Sequence, residues 1–128
     1  MAGGNLALTT STQHPHPGQR VRVHATGQVG DSGGRLYLYR NLGRRCAVSE
    51  LGERDMGRRA ARLRRPVAIN QTFDLGASYR AGHAGTREWV CGYLYAITCD
   101  AAGDNCAPAV GLPPDAGFFS VPIRVRRR

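Results

Sequence analysis

The chain has no lysine: all 18 basic residues are arginine, set against 9 acidic ones, for a formal charge of +9. Such uniformity follows genomic base composition as readily as it follows a partner, so it is weak ground for polyanion recognition. Also missing is any apolar run near the ~18 residues of a membrane-spanning helix. MAGGNLALTT lacks both the basic start and the apolar stretch of a secretory leader. No GxxxxGKS/T or GxGxxG stretch is present to cradle phosphates. Nor is there helix-turn-helix spacing, a zinc-finger pattern or an aromatic platform for nucleic acid. That leaves weak, non-specific adhesion to polyanions as the expected nucleic-acid behaviour.

What is present favours strands. Hydrophobic residues make up 41% of the chain, and Gly (17) plus Pro (7) give 24 of 128 residues, which suits a loop-rich β domain. The richest run of β-formers is REWVCGYLYAITCD, 87–100. One parity carries Trp89, Cys91, Tyr93, Tyr95 and Ile97, the other Val90, Gly92, Leu94, Ala96 and Thr98, so the strand has an aromatic face and a smaller, mixed one. Cys91 sits mid-strand, and Cys46 lies 45 residues earlier, just past a second strand candidate. Four cysteines allow three full pairings. The favoured one is Cys46 with Cys91, worth ~4 kcal/mol as a loop closure. Cys99 and Cys106 then bracket a short polar loop. Two bridges imply an oxidising compartment, with a leader removed and a starting Met supplied; the alternative is an intracellular protein whose cysteines are reduced.

In chain order, Leu6, Leu8 and Thr10 form an edge-strand candidate. His14 and His16 flank Pro15 in a proline-punctuated turn, with no acidic residue or cysteine nearby to complete a metal site. Residues 19–29 alternate cleanly, placing Val21, Val23 and Ala25 inside and Arg20, Arg22 and His24 in water. GDSGG at 30–34 resembles the peptide around the nucleophile of trypsin-like proteases. However, Ser32 has no histidine that the sequence can assign to it, and the chain is about half the needed length. RLYLYR, 35–40, is a central strand with sizeable residues on both faces. Residues 50–65 hold six arginines, and one short helix is expected near 54–65, its apolar edge made by Met56, Ala60 and Leu63. Residues 67–75 return to strand, with a break or bulge at Gln71. The segment 76–86 is a Gly/Ala-rich connection carrying Tyr79 and His83. Asp100, Asp104 and Asn105 raise a calcium reading that the spacing does not support. The last strand is 118–125, where Pro122 marks an edge or a bulge.

About seven short strands and one weak helix make an all-β, immunoglobulin-like antiparallel sandwich the expected fold. Residues 1–17 read as an N-terminal edge strand and flexible lead-in, and 18–128 as the sandwich core with a basic tail. Trp89 is expected beside the Cys46–Cys91 bridge as bulky core. GQRVRVHATG (18–27), LYLYR followed by Cys46, and REWVCGYLY (87–95) are similar to small secreted immunoglobulin-like domains of actinobacterial exported and cell-wall proteins. The likeness spans roughly 18–125. It implies a Cys91–Cys46 bridge between a late and an early strand, and no shared catalytic residues.

The first function read from this is a non-enzymatic extracellular structural or adhesion module, secreted or at the cell surface. Its partner would be a protein or a cell-envelope polymer, without a cofactor, a metal or a membrane span. Tyr37, Tyr39 and Tyr79 with Arg58, Arg59 and Arg62 are the candidate interface. The alternative is a sandwich binding carbohydrate or another envelope ligand, favoured if aromatic rings line an exposed groove and disfavoured if they are buried. A hydrolase would need His24 or His83 brought to Asp74 or Glu88 and to a Ser or Cys, and the spacing does not suggest it.

Overall fold

The computed structural model describes residues 4–30, 32–99, 101–103 and 106–127. Its frame is two antiparallel sheets. The smaller runs β1 (Gly4–Thr10), β2 (Arg20–Val29) and β6 (Thr72–Arg80) in the order β1-β2-β6. The larger has five strands: β3 (Gly34–Leu42), β4 (Ala60–Arg62), β5 (Val67–Ile69), β7 (Arg87–Ala96) and β8 (Gly117–Arg124). Their order is β4-β3-β7-β8, with β5 also paired to β3. Eight strands and little helix among the described residues make the chain a mostly-β, two-sheet sandwich.

Alternation places the core. Val21, Val23 and Ala25 of β2, with Leu6 and Leu8 of β1, pack on Leu36 and Leu38 of β3, Val90 and Leu94 of β7, and Val121 and Ile123 of β8. Gly92 of β7 lies where the sheets pack closely. A Cβ there would stand 2.9 Å from Leu6 Cδ2 and 3.0 Å from Leu8 Cδ1. A side chain there would have to push the tips of both leucines aside.

Both faces of β7 are buried, as expected for a central strand. Its second face, carrying Cys91, Tyr93 and Tyr95 beside Tyr37 and Tyr39 of β3, forms a separate small core. The chain between β3 and β4, together with residues around Val110, lies over that core. Cys46 is bonded to Cys91 with a Cα–Cα distance of 5.8 Å, so this bridge ties the covering chain to the sheet and does not cross the sandwich. The second disulfide joins Cys99 to Cys106.

Two expectations need correction, and a third is sharpened. The α-helix is α1, Glu50–Arg54, and past Arg54 the expected range 54–65 holds only one helical turn, the 3-10 turn Gly57–Arg59. Ser49 caps α1, its Oγ accepting from Gly52 N at 3.1 Å, while Glu50 and Glu53 occupy the first turn. Past it, Gly57 takes φ +63, which interrupts the helix, and residues 60–62 add to the edge of β3. The break expected at Gln71 is there, at φ +65, and it divides 67–75 into two strands that belong to different sheets. Finally, β6 runs through Gly76 to Arg80, where a loose connection was expected.

Pro122 lies on the edge strand β8. The N–H groups of Arg124 and Arg126 point outward and bond Gln13 O and Pro15 O, each at 2.8 Å. Pro122 shares their parity, so the N–H it lacks would also have pointed away from β7.

Candidate functional site

Three polar clusters have the residue types of an active site, and most of their polar atoms meet one another. Glu53 Oε2, Glu88 Oε1, Arg40 Nε and the Tyr79 hydroxyl, however, are buried with no hydrogen-bond partner among the described residues. Beneath the covering chain, Tyr39 donates to Glu50, and Arg54 Nη2 meets Glu50 Oε1 at 2.5 Å. The Tyr93 hydroxyl lies 2.7 Å from both Glu53 Oε1 and Ala47 O. Tyr95 accepts from Glu50 N at 2.9 Å and donates to Leu112 O at 2.7 Å. Desolvation, then the adjacent Glu53, pushes the Tyr93 phenol far above its ordinary value, and burial likewise raises Tyr39 and Tyr95. These phenols stay protonated and hold the cover in place. Cys46, Cys91 and Glu53 place three donor atoms within 4.8 Å, but both sulfurs are spent in a disulfide and no thiolate is left to bind a metal.

At one end of the main core, Glu88 is fully buried. It accepts from Gly82 N at 2.9 Å and meets Arg40 Nη1 at 3.3 Å, with the Arg40 guanidinium 5.3 Å above the Tyr79 ring. Burial, then the Glu88 charge, raises the Tyr79 phenol.

The third cluster brings together the His24 and Asp74 that the sequence had named only as hydrolase candidates. They pair on the outer face of the small sheet, beside a shallow trough of about 650 Å³ lined by Thr9, Ser11, Arg20, Arg22, Gly76 and Ser78. The two serines serve the sheet: Ser11 Oγ accepts from Arg22 N and Ser78 Oγ from Arg20 Nη1. Among the described residues no Ser or Cys hydrogen-bonds His24, so no nucleophile is activated. His83 lies exposed in the β6–β7 connection, its carbonyl accepting from Thr86.

The candidate interface also changes. Tyr37, Tyr39 and Tyr79 are buried at 6%, 2% and 9% exposure, so these rings pack the two cores and are not contact surface. Arg58, Arg59 and Arg62 are exposed, at the β4 edge of the large sheet. Arg62 Nε donates to Tyr39 Oη at 3.2 Å, which ties that edge to the covered core. The calcium reading at Asp100, Asp104 and Asn105 lies outside the described residues. His14 and His16 are both exposed, and Arg126 bonds the backbone of the first and the ring of the second.

What remains open is the far half of the aromatic face of β7. Trp89 is only half-buried, which corrects its assignment to the core. It stands opposite Pro122 in register, and Arg87 stands opposite Arg124. With Gln13 and His14 these four residues line a groove of about 340 Å³. A second hollow of about 520 Å³ reaches the exposed ring of Phe119 and shares Gln13 and Pro122 with the first. A third, of about 650 Å³, holds Arg126 and Arg127 and shares His14 and Arg124 with it. The three follow one another along the outer edge of β8, a track in which Trp89 and Phe119 stand on opposite faces of the β7–β8 pair. Sequence reasoning missed it, although the signal was there: Trp89 shares its parity with Arg87, and a face ending in an arginine is not all core.

The sequence matches no protein-family model and no curated protein. By structure it is similar to part of a Paenibacillus sp. cycloisomaltooligosaccharide glucanotransferase solved with cycloisomaltoheptaose. That match has a TM-score of 0.55 and 16% identity over 100% of this chain and 15% of that one. The fold is what they share. Two looser likenesses carry no argument. One is to Spo0M, a Bacillus subtilis sporulation control protein, with a TM-score of 0.43 and 11% identity over 98% of this chain and 50% of that one. The other is to a Listeria innocua β-glucosidase solved with glucose, with a TM-score of 0.45 and 11% identity over 96% and 16%. This chain thus spans half or less of each of these proteins.

Proposed function

We propose that the protein is a non-catalytic module that binds a carbohydrate polymer through the track along β8. The observation that carries this is the open groove that holds Trp89 with Gln13, His14, Arg87 and Arg124; Phe119 lies in the adjoining hollow, on the other face of the β7–β8 pair. An aromatic face beside a few directional polar groups suits a sugar ring, which has an apolar face and hydroxyl edges. This puts the binding module ahead of the general structural or adhesion domain. The hidden tyrosines count against a broad protein-protein interface, while the track gives a polymer a linear path. A domain of this fold within a chain crystallised with a cyclic oligosaccharide makes glycans the first ligands to try, though a shared fold transfers no ligand by itself.

The absence of enzymatic activity is part of the same proposal, supported by the internal partners of the three polar clusters. So are the secreted or cell-surface location, supported by the two disulfides, and the kinship with immunoglobulin-like envelope domains. Affinity electrophoresis through gels carrying soluble polysaccharides tests the binding. At least one polysaccharide should retard the protein, and Trp89→Ala should abolish the retardation while the variant remains folded. Equal mobility in every gel, or retardation that survives Trp89→Ala and Phe119→Ala together, would sink the reading.

A further inference from the structure

Resting on that reading, we propose that the polymer is acidic: a glycan bearing uronic acids, whose carboxylates are taken by Arg87 and Arg124 while a sugar ring lies on Trp89. Arg87 and Arg124 face each other directly across the β7–β8 ladder on the open side of the sheet. Like charges in that position repel and cost stability. Neither is in an ion pair: the ion pairs among the described residues are His24–Asp74, Arg40–Glu88 and Arg54–Glu50. Among the described residues no Asp or Glu lines the groove or the hollow beyond it, whereas Arg126 and Arg127 extend the positive run. A carboxylate between the two facing guanidiniums relieves their repulsion and is held by two charge-assisted forks.

Spacing and rigidity fit the same ligand. Arg87 and Trp89 are two residues apart on one strand, about 6.6 Å along it, so a sugar stacked on the indole brings a ring carboxylate within reach of the arginine. The wall opposite is fixed in advance. Backbone bonds from Arg124 and Arg126 to Gln13 and Pro15 fasten the 13–15 segment to β8, and Arg126 Nε adds a bond to His14 O at 2.8 Å. A groove ordered before the ligand arrives loses little entropy on binding. Single-stranded nucleic acid fits less well. It needs successive rings on one platform, whereas Trp89 and Phe119 point to opposite faces of the β7–β8 pair.

The test uses the whole chain with polygalacturonate, with the same polymer after its carboxyls are reduced to alcohols, with dextran, and with a single-stranded oligonucleotide. Polygalacturonate should bind at physiological salt and its reduced form at least about tenfold more weakly. Arg87→Gln with Arg124→Gln should erase that preference, while Arg58→Gln with Arg59→Gln, which removes equal charge from the opposite edge, should leave it intact. Unchanged melting and intact disulfides would show that the variants are folded. Equal binding of the reduced polymer or dextran, lost on Trp89→Ala, overturns the acidic ligand and leaves the carbohydrate module standing. No binding to any glycan overturns both. Oligonucleotide binding as tight as that of polygalacturonate, or an equal loss in the Arg58/Arg59 variant, overturns the inference in favour of general polyanion adhesion.

Discussion

The outer face of β3, β7 and β8 is built from one side-chain parity, yet its two halves behave as different materials. In the covered half Tyr39, Tyr93 and Tyr95 find partners on Glu50, Glu53 and the backbone of the covering chain, and a disulfide fastens the lid. In the open half Trp89, Arg87 and Arg124 have no lid. Polar atoms answered from within make a structural layer. A ring and two cations left unanswered make a surface that requires something from outside. Composition does not separate these halves; the reach of the 43–65 segment does.

The contrast can be broken first at the lid. Cys46→Ala with Cys91→Ala should cost about 4 kcal/mol, the entropy of closing so long a loop in the unfolded chain. Urea unfolding would measure it, and hydrogen exchange should show amides 47–56 losing protection while β2 keeps its own. Overpacking the sheet contact comes next: Gly92→Ala drives a methyl onto Leu6 and Leu8 and should cost roughly 1–3 kcal/mol in the same assay. Trp89→Ala should remove ligand retention at a cost of about 2 kcal/mol, because the residue is only partly exposed and packs on one side against the covered core. A much larger stability loss at Trp89 would dissolve the distinction between the halves. Tyr93→Phe leaves Glu53 without its phenol and should cost about 1–2 kcal/mol.

Alkaline pH sharpens the comparison further. Tyr39, Tyr79, Tyr93 and Tyr95 all have folded-state values raised above the ordinary 10.0, chiefly by burial. The folded state therefore holds these protons more tightly than the unfolded chain does. The resulting stabilisation is complete below pH 10 and is lost progressively as pH climbs above it toward the raised values. Unfolding free energy measured across that range should fall, and Tyr93→Phe should fall less steeply. A flat profile would mean that the phenols are not sealed in.

Much of the frame was legible because it depends on local alternation. Val21, Val23 and Ala25 against Arg20, Arg22 and His24 identify β2 without any tertiary information, and the spacing of Cys46 and Cys91 suited the bridge that formed. The errors came where tertiary contacts overrode local preference. The arginines at 58–62 read as a helix face, but Gly57 breaks the helix and the free edge of β3 captures residues 60–62. Tyr79 looked like loop surface because Gly76 and Ala77 hid a strand. Trp89 was assigned inward because a lone tryptophan in a strand of β-formers usually is buried. Nothing local reveals that the lid stops short of it. His24 and Asp74 lie 50 residues apart and meet only because β2 and β6 are neighbours.

The strap of residues 13–15 along β8 has a consequence for crowding. An open flank of that strand would offer a row of free amides on which a second copy could zip. With its C-terminal end occupied by the strap and Pro122 lacking a donor, that row is cut short. Copies sitting side by side on one long ligand have less edge through which to fuse. Loading along a polymer would then be set by the spacing of its sugars, and tethering several copies together would raise retention through effective concentration alone.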